Sequence, residues 1–312
     1  MFPGPWKIPA VILALCAATC AAGNANRGFN IRPAIVYLSP DTSSAKLVEM
    51  ERGRELTTVP GGAPSGWIHV MPTLKGGREV SGWMIAKGVV FTDTPNGDRI
   101  IFGEALDSEA EASKSHGRKG ADRDALRLYY AVYDLFPQSP LAGEALYRAA
   151  DVQWQLDFSD KFFRRPADQI GMGTTAELDD SLMKMVTKKF RGTKWADLAE
   201  YRLIDVKLCR DWEGLPKCPE KESEFYEKYA AQHPQSPAAA EALYNAAWRQ
   251  AALIELYKSG NEGGKSAGAK QRAISLSQHL ISAYPQTDWA ARAQRLAFLV
   301  EQGVNTYGPA VE

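Results

Sequence analysis

Between residues 121 and 303, apolar and aromatic side chains recur at intervals of four. They form four groups: Leu128, Val132 and Phe136; Leu182, Val186 and Phe190; Phe225 and Tyr229, followed by His233; and Leu276, Leu280 and Tyr284. A spacing of four keeps side chains on one stripe of a helix, so each group predicts a helix with one buried face. Each stripe runs into a turn: PQSP from 137, RGTK from 191, PQSP again from 234 and PQTD from 285. Proline or glycine stops the first helix there, and serine or threonine caps the next. Alanines follow each turn at fixed places: Ala142 and Ala145, Ala196 and Ala199, Ala239 and Ala242, Ala290 and Ala293. Small residues three apart share a helix face and let a second helix approach closely. The pattern predicts four units of helix, turn, helix.

Two of the units are near copies. PQSPLAGEALYRAADVQWQ, residues 137 to 155, returns at 234 to 252 as PQSPAAAEALYNAAWRQAA, with twelve of nineteen positions identical. Large residues on the first helix, an aromatic-Pro-x-Ser/Thr turn and A-x-x-A on the second helix resemble the tetratricopeptide family. Within it, the turn resembles those of outer-membrane-assembly lipoproteins and of periplasmic repeat proteins of the Tol system. The resemblance covers residues 121–303 and implies an α-solenoid that binds partner proteins as a non-catalytic scaffold or adaptor. Its concave lining would come from first-helix positions off the core stripe, namely Arg127, Tyr130, Lys184, Tyr226 and Gln278. Successive turns lie 54, 43 and 51 residues apart, whereas a tetratricopeptide unit is about 34. The surplus is expected in longer helices and inter-repeat loops. Such repeats bind many unrelated partners, so the architecture does not name one.

From 31 to 91 the pattern changes. Short runs rich in β-branched residues (AIVYL, KLVEM, ELTTV, GWIHV, VSGWMIA, GVVF) alternate with glycine and proline, which predicts a small barrel. Val36-Tyr37, Arg52-Gly53 followed by Leu56, and the paired Gly66-Trp67 and Gly82-Trp83 resemble the bacterial SH3 family. That resemblance implies an envelope domain that binds cell-wall peptides, glycans or other envelope proteins. Trp67 is expected in the barrel core; Trp83 fits the core and a ligand groove equally. His69 falls on the face opposite Ile68 and Val70. Residues 92–120 read as a linker with a possible helix over IIFGEALDSEAEASKS, followed by a glycine-bearing joint. Residues 304–312 read as a tail. The expected fold is therefore multidomain: a small all-β SH3-like barrel followed by an all-α tetratricopeptide-like solenoid.

The N-terminus sets the address. MFPGPWK precedes IPAVILALCAATCAA, an apolar run shorter than the ~20 residues a membrane helix needs. It reads as a signal peptide over 1–22, ending in small residues. A lipoprotein signal is the rival, but Cys16 follows Leu15 and Cys20 follows Thr19, both departures from that motif. Export to the periplasm or envelope leaves Cys209 and Cys218, an even pair in an oxidising compartment. They stand nine apart in LCRDWEGLPKCPE, with Cys209 in the last turns of one helix and Cys218 at the cap of the next. That placement predicts a disulfide.

Thirty-seven basic and 37 acidic residues balance, so nothing global points to nucleic acid. GNEGGKS at 260–266 lacks the first glycine of a phosphate-binding loop and follows a helical run, so it reads as a flexible inter-repeat loop. The four histidines have no ligand-spaced partners, and no nucleophile has a base beside it. The chain is accordingly read as a non-enzyme without cofactor or metal, an enzyme with a dispersed site being the remote alternative. Two surface features fit partner recognition. One is KFFRRP, in which Lys161, Arg164 and Arg165 surround Phe162 and Phe163. The other is the basic run that includes Lys184. The expected partners are envelope proteins or peptides, with peptidoglycan as an alternative and membrane attachment only through a lipid.

Overall fold

The computed structural model describes residues 25–74, 79–162, 178–209 and 211–307. An N-terminal β domain is followed by an α-solenoid. The strands are β1 (Arg27–Asn30), β2 (Ala34–Tyr37), β3 (Lys46–Met50), β4 (Glu55–Thr58), β5 (Trp67–Pro72), β6 (Gly82–Ile85) and β7 (Val89–Phe91). They form one antiparallel sheet in the order β3-β2-β6-β5-β4-β1-β7. Val36, Met50, Leu56, Val70 and Met84 share one apolar cluster, to which no helix contributes among the described residues. Those side chains are nonetheless buried, so the sheet must curl over its own inner face. The sheet starts before residue 31: β1 pairs with both β4 and β7. RGFN is short and carries no alternating run, so only its two neighbours define it as a strand.

The helices are α1 (Gly97–Ala112), α2 (Ala121–Leu135), α3 (Ala142–Phe162), α4 (Ser181–Lys189), α5 (Lys194–Arg202), α6 (Lys217–Gln232), α7 (Ala239–Ser259), α8 (Gly263–Ala283) and α9 (Asp288–Gln302). The four turns found in the sequence join α2 to α3, α4 to α5, α6 to α7 and α8 to α9. All eight alanines that follow them are buried. The repetition extends to backbone conformation. Phe136, Phe190, His233 and Tyr284 close their helices with φ of −125°, −118°, −127° and −132°. In the two PQSP turns, Ser139 and Ser236 hydroxyls accept from the backbone of Leu141 (3.1 Å) and Ala238 (3.2 Å). In the other two, Thr193 and Thr287 are the N-caps, accepting from Ala196 and Ala290.

The segment after the sheet is structured. α1 lays Ile101, Phe102 and Ala105 against Leu128, Tyr129 and Val132 of α2, and Phe29 and Val90 of the sheet enter the same cluster. The two domains thus share a core. Ion pairs surround it. Arg52 lies between Glu104 (3.2 Å) and Asp124 (3.5 Å), and Asp124 also takes Arg118 (2.5 Å) and Arg127. Arg127 reaches Glu51 at 3.2 Å and donates to the Arg52 carbonyl at 2.7 Å. Arg27 of β1 pairs with Asp134 of α2. Gly53, at φ +69°, admits the α2 backbone: a Cβ there would lie 2.7 Å from the Arg127 Cβ.

Two expectations for the array are corrected. GNEGGKSAGAK is not a flexible loop, because α8 begins at Gly263. Its Ser266 and Ala269 pack on α7, where the Ser266 hydroxyl donates to the Ile254 carbonyl at 3.0 Å. Cys209 is not in a helix: α5 ends at Arg202, and Cys209 follows a short 3-10 turn. Cys218 lies in the first turn of α6, and a disulfide joins the two across a Cα separation of 6.1 Å. Among the described residues, no helix is long and apolar enough to cross a membrane.

Candidate partner-binding surface

The strand alternation that buries Val36, Val70 and Met84 turns their neighbours to the outer face. Tyr37, Trp83 and His69 stand in register across β2, β6 and β5. The His69 and Trp83 rings stack at 4.6 Å with 11° between planes, and Ser81 and His69 are hydrogen-bonded at 2.9 Å. Trp67 meets Tyr37 edge-on at 5.9 Å. Trp67 therefore does not fill the barrel core. It lies two residues from His69 and shares its outward face, while Ile68 and Val70 take the inner one. Trp83 is half-buried on the same outer face. Exposed Met71 and Ile85 extend the aromatic row.

One end of this face is walled by the α1–α2 loop. A cleft of about 710 Å³ runs over β2, β3 and β6 to Arg118, Lys119 and Gly120. Ile35, Tyr37 and Ile85 line its floor and Lys87 its rim. The cleft joins residues more than 80 positions apart, so no local motif announces it. The sequence-level signal for the aromatic row was present in the β5 alternation, Trp67 and His69 against Ile68 and Val70.

The positions expected to line a repeat groove do not form one surface. Tyr226 belongs to the core: α6 buries Glu222, Tyr226, Tyr229 and Ala230, so its apolar face is wide enough to include a residue next to Phe225. Arg127 is largely buried at the domain junction, where its guanidinium is used by Asp124 and Glu51. Burial pulls that guanidinium below its usual pKa. Tyr130 is half-buried between the first two helix pairs, edge-on to Tyr133 at 6.0 Å. Lys184 is exposed and pairs with Asp180 at 2.7 Å, and Gln278 is exposed on α8. Lys161 and Phe162 end α3; Phe163, Arg164 and Arg165 lie outside the described residues.

The histidine of the third unit is better placed than its spacing suggested. His233 Nδ1 lies 2.9 Å from Asp197 and Nε2 2.8 Å from Glu200, tying the end of α6 to α5. Below it, the buried Glu222 carboxylate accepts from Arg249 (2.8 Å), the Cys209 amide (2.9 Å) and the Trp212 indole (3.2 Å). This cluster orders the disulfide loop, and its groups are satisfied by one another. Among the described residues, no group of three or more His, Cys, Asp or Glu could hold a metal ion.

No family model and no curated protein matches the chain. Among solved structures it is similar to a DHF58 filament, at TM-score 0.24 and 15% identity over 66% of this chain and 91% of that one. It is also similar to the de novo designed helical repeat protein DHR64, at TM-score 0.21 and 15% identity over 66% and 92%. At those scores neither likeness bears on function.

Proposed function

We propose that the protein is an exported, non-catalytic scaffold of the cell envelope that holds protein partners on two fixed surfaces, the outer sheet face and the helical repeats. The observation that carries this reading is the junction between the domains. A shared apolar core and an ion network in which Arg52, Glu104, Asp124 and Arg127 are largely buried join β1, β7 and the turn after β3 to α1 and α2. Domains that only need tethering are joined by mobile linkers with few crossing contacts. Charges buried in this way cost desolvation unless each is well paired, so a junction built from them fixes geometry. The disulfide supports an oxidising compartment. Crosslinking in intact cells, followed by capture of the full chain, tests the reading. A reproducible set of envelope proteins, lost from a variant with changed repeat surface (Lys184→Glu with Gln278→Glu), is expected. Recovery of the chain alone would overturn it.

A second reading is favoured by the stacked His69–Trp83 pair: the sheet face grips the cell wall while the repeats recruit a partner. Aromatic rings facing solvent give flat, rigid contact area. Retention of the intact protein on purified sacculi, lost in Trp83→Ala, is the outcome this reading expects.

A further inference from the structure

The cleft at the end of the sheet face has a charge of its own. Beside it, among the described residues, the guanidiniums of Arg32, Arg52, Arg54, Arg118 and Arg127 share the carboxylates of Glu51, Glu104 and Asp124. Lys87 and Lys119, both exposed on the lining, have no carboxylate within ion-pair distance among the described residues. Glu49 is the one further acid on the lining. The lining thus carries four cations (Arg52, Lys87, Arg118 and Lys119) against three acids (Glu49, Glu51 and Asp124), and its two lysines stand beside an apolar floor of Ile35, Tyr37 and Ile85.

We propose that this cleft binds an extended acidic peptide segment of a partner protein, with hydrophobic side chains on Ile35, Tyr37 and Ile85 and carboxylates toward Lys87 and Lys119. The site rests on the scaffold reading and adds to it the chemistry of the partner. Two features select a peptide. The volume, about 710 Å³, is that of a ligand site rather than of a broad docking face. The cleft also takes in Glu49 and Met50 of β3, an edge strand that pairs only with β2 among the described residues. That strand's other edge carries the unpaired backbone groups that an added strand uses. An anionic membrane could use the same lysines, and the test below separates it from a peptide.

The test uses the full chain and a fluorescein-labelled peptide of alternating Asp and Leu, read by fluorescence anisotropy. A Lys/Leu peptide is the charge-reversed control. The acidic peptide should bind, weaken as salt is raised, and lose about tenfold or more in Lys87→Glu/Lys119→Glu, each tenfold being about 1.4 kcal/mol. The basic peptide should not bind. Ile85→Asp, which removes the floor and leaves the lysines, should weaken binding as well. If the double reversal fails to fold, Lys87→Gln/Lys119→Gln replaces it with the same expectation. Equal binding of the two peptides, or no change in the lysine variants, overturns the assignment. So does sedimentation with phosphatidylglycerol vesicles that those variants abolish while peptide binding persists. None of these outcomes touches the capture experiment on the repeat surface, so failure here and failure of the scaffold reading are told apart.

Discussion

Removing the Glu222 carboxylate strands the Arg249 guanidinium in a site where both groups are buried. Glu222→Ala is expected to lower stability by roughly 3–5 kcal/mol, measured by urea denaturation, because the remaining charge has no way back to water. A second residue-scale expectation concerns alkaline pH. Burial pushes the Tyr147 and Tyr226 hydroxyls up to about 12, against about 10 in an unfolded chain. Below pH ~10 both states keep these protons and nothing is lost. Between about 10 and 12 the unfolded chain releases them first, so stability falls as pH rises. Tyr226→Phe should show a shallower decline across that window and little change at pH 7. Residue placement was partly legible in the sequence. The alternation of β5 already set Trp67 beside His69 and away from Val70, but tryptophan size argued for the core, and the pleat decided against it. Tyr226 was missed because a stripe read strictly at every fourth residue is narrower than the face a helix buries.

At the scale of elements, the small residues mark how closely helices approach. Ala242 has no exposed surface, and Ala242→Leu should cost roughly 1–3 kcal/mol through overpacking. Lys258→Ala, which removes an exposed i,i+3 pair with Glu255, should change the urea midpoint little. Equal midpoints for the two variants would contradict the repeat alignment. The disulfide closes a loop of nine residues, and replacing both cysteines by serine should cost about 2–3 kcal/mol on the chain-entropy account. Helices with a wide apolar face and a Pro-Ser or Gly-Thr turn were readable because period and punctuation agree. α1 was harder, since its buried residues Ile101, Phe102, Ala105 and Ser108 face a sheet and a helix at once. The start of α8 was misread because glycines over a stretch also rich in small residues look like a loop. The stretch is helical here because Ser266 and Ala269 pack on α7, while the α8 glycines face open space.

For the whole molecule, the decisive contacts join residues far apart in sequence. Arg52, Glu104, Asp124 and Arg127 carry no shared motif, and Gly53 reads as an ordinary turn glycine until α2 is seen against it. The junction and the cleft beside it were therefore not legible, although each domain's class was. Gly53→Ala should separate sheet and helix, since the added carbon meets the Arg127 backbone at 3.0 Å and the φ of +69° is itself strained for alanine. Partial loss of cooperativity in thermal unfolding is the expected sign. The central claim is that the sheet and the helical array move as one body. Spin labels on cysteines introduced at Thr42, in the β domain, and Gln278, in the last helix pair, with pulsed electron spin resonance distances between them, test it most directly. The account predicts a single narrow distance distribution in the native protein that broadens in Gly53→Ala. A broad or multi-peaked distribution in the native protein would contradict it.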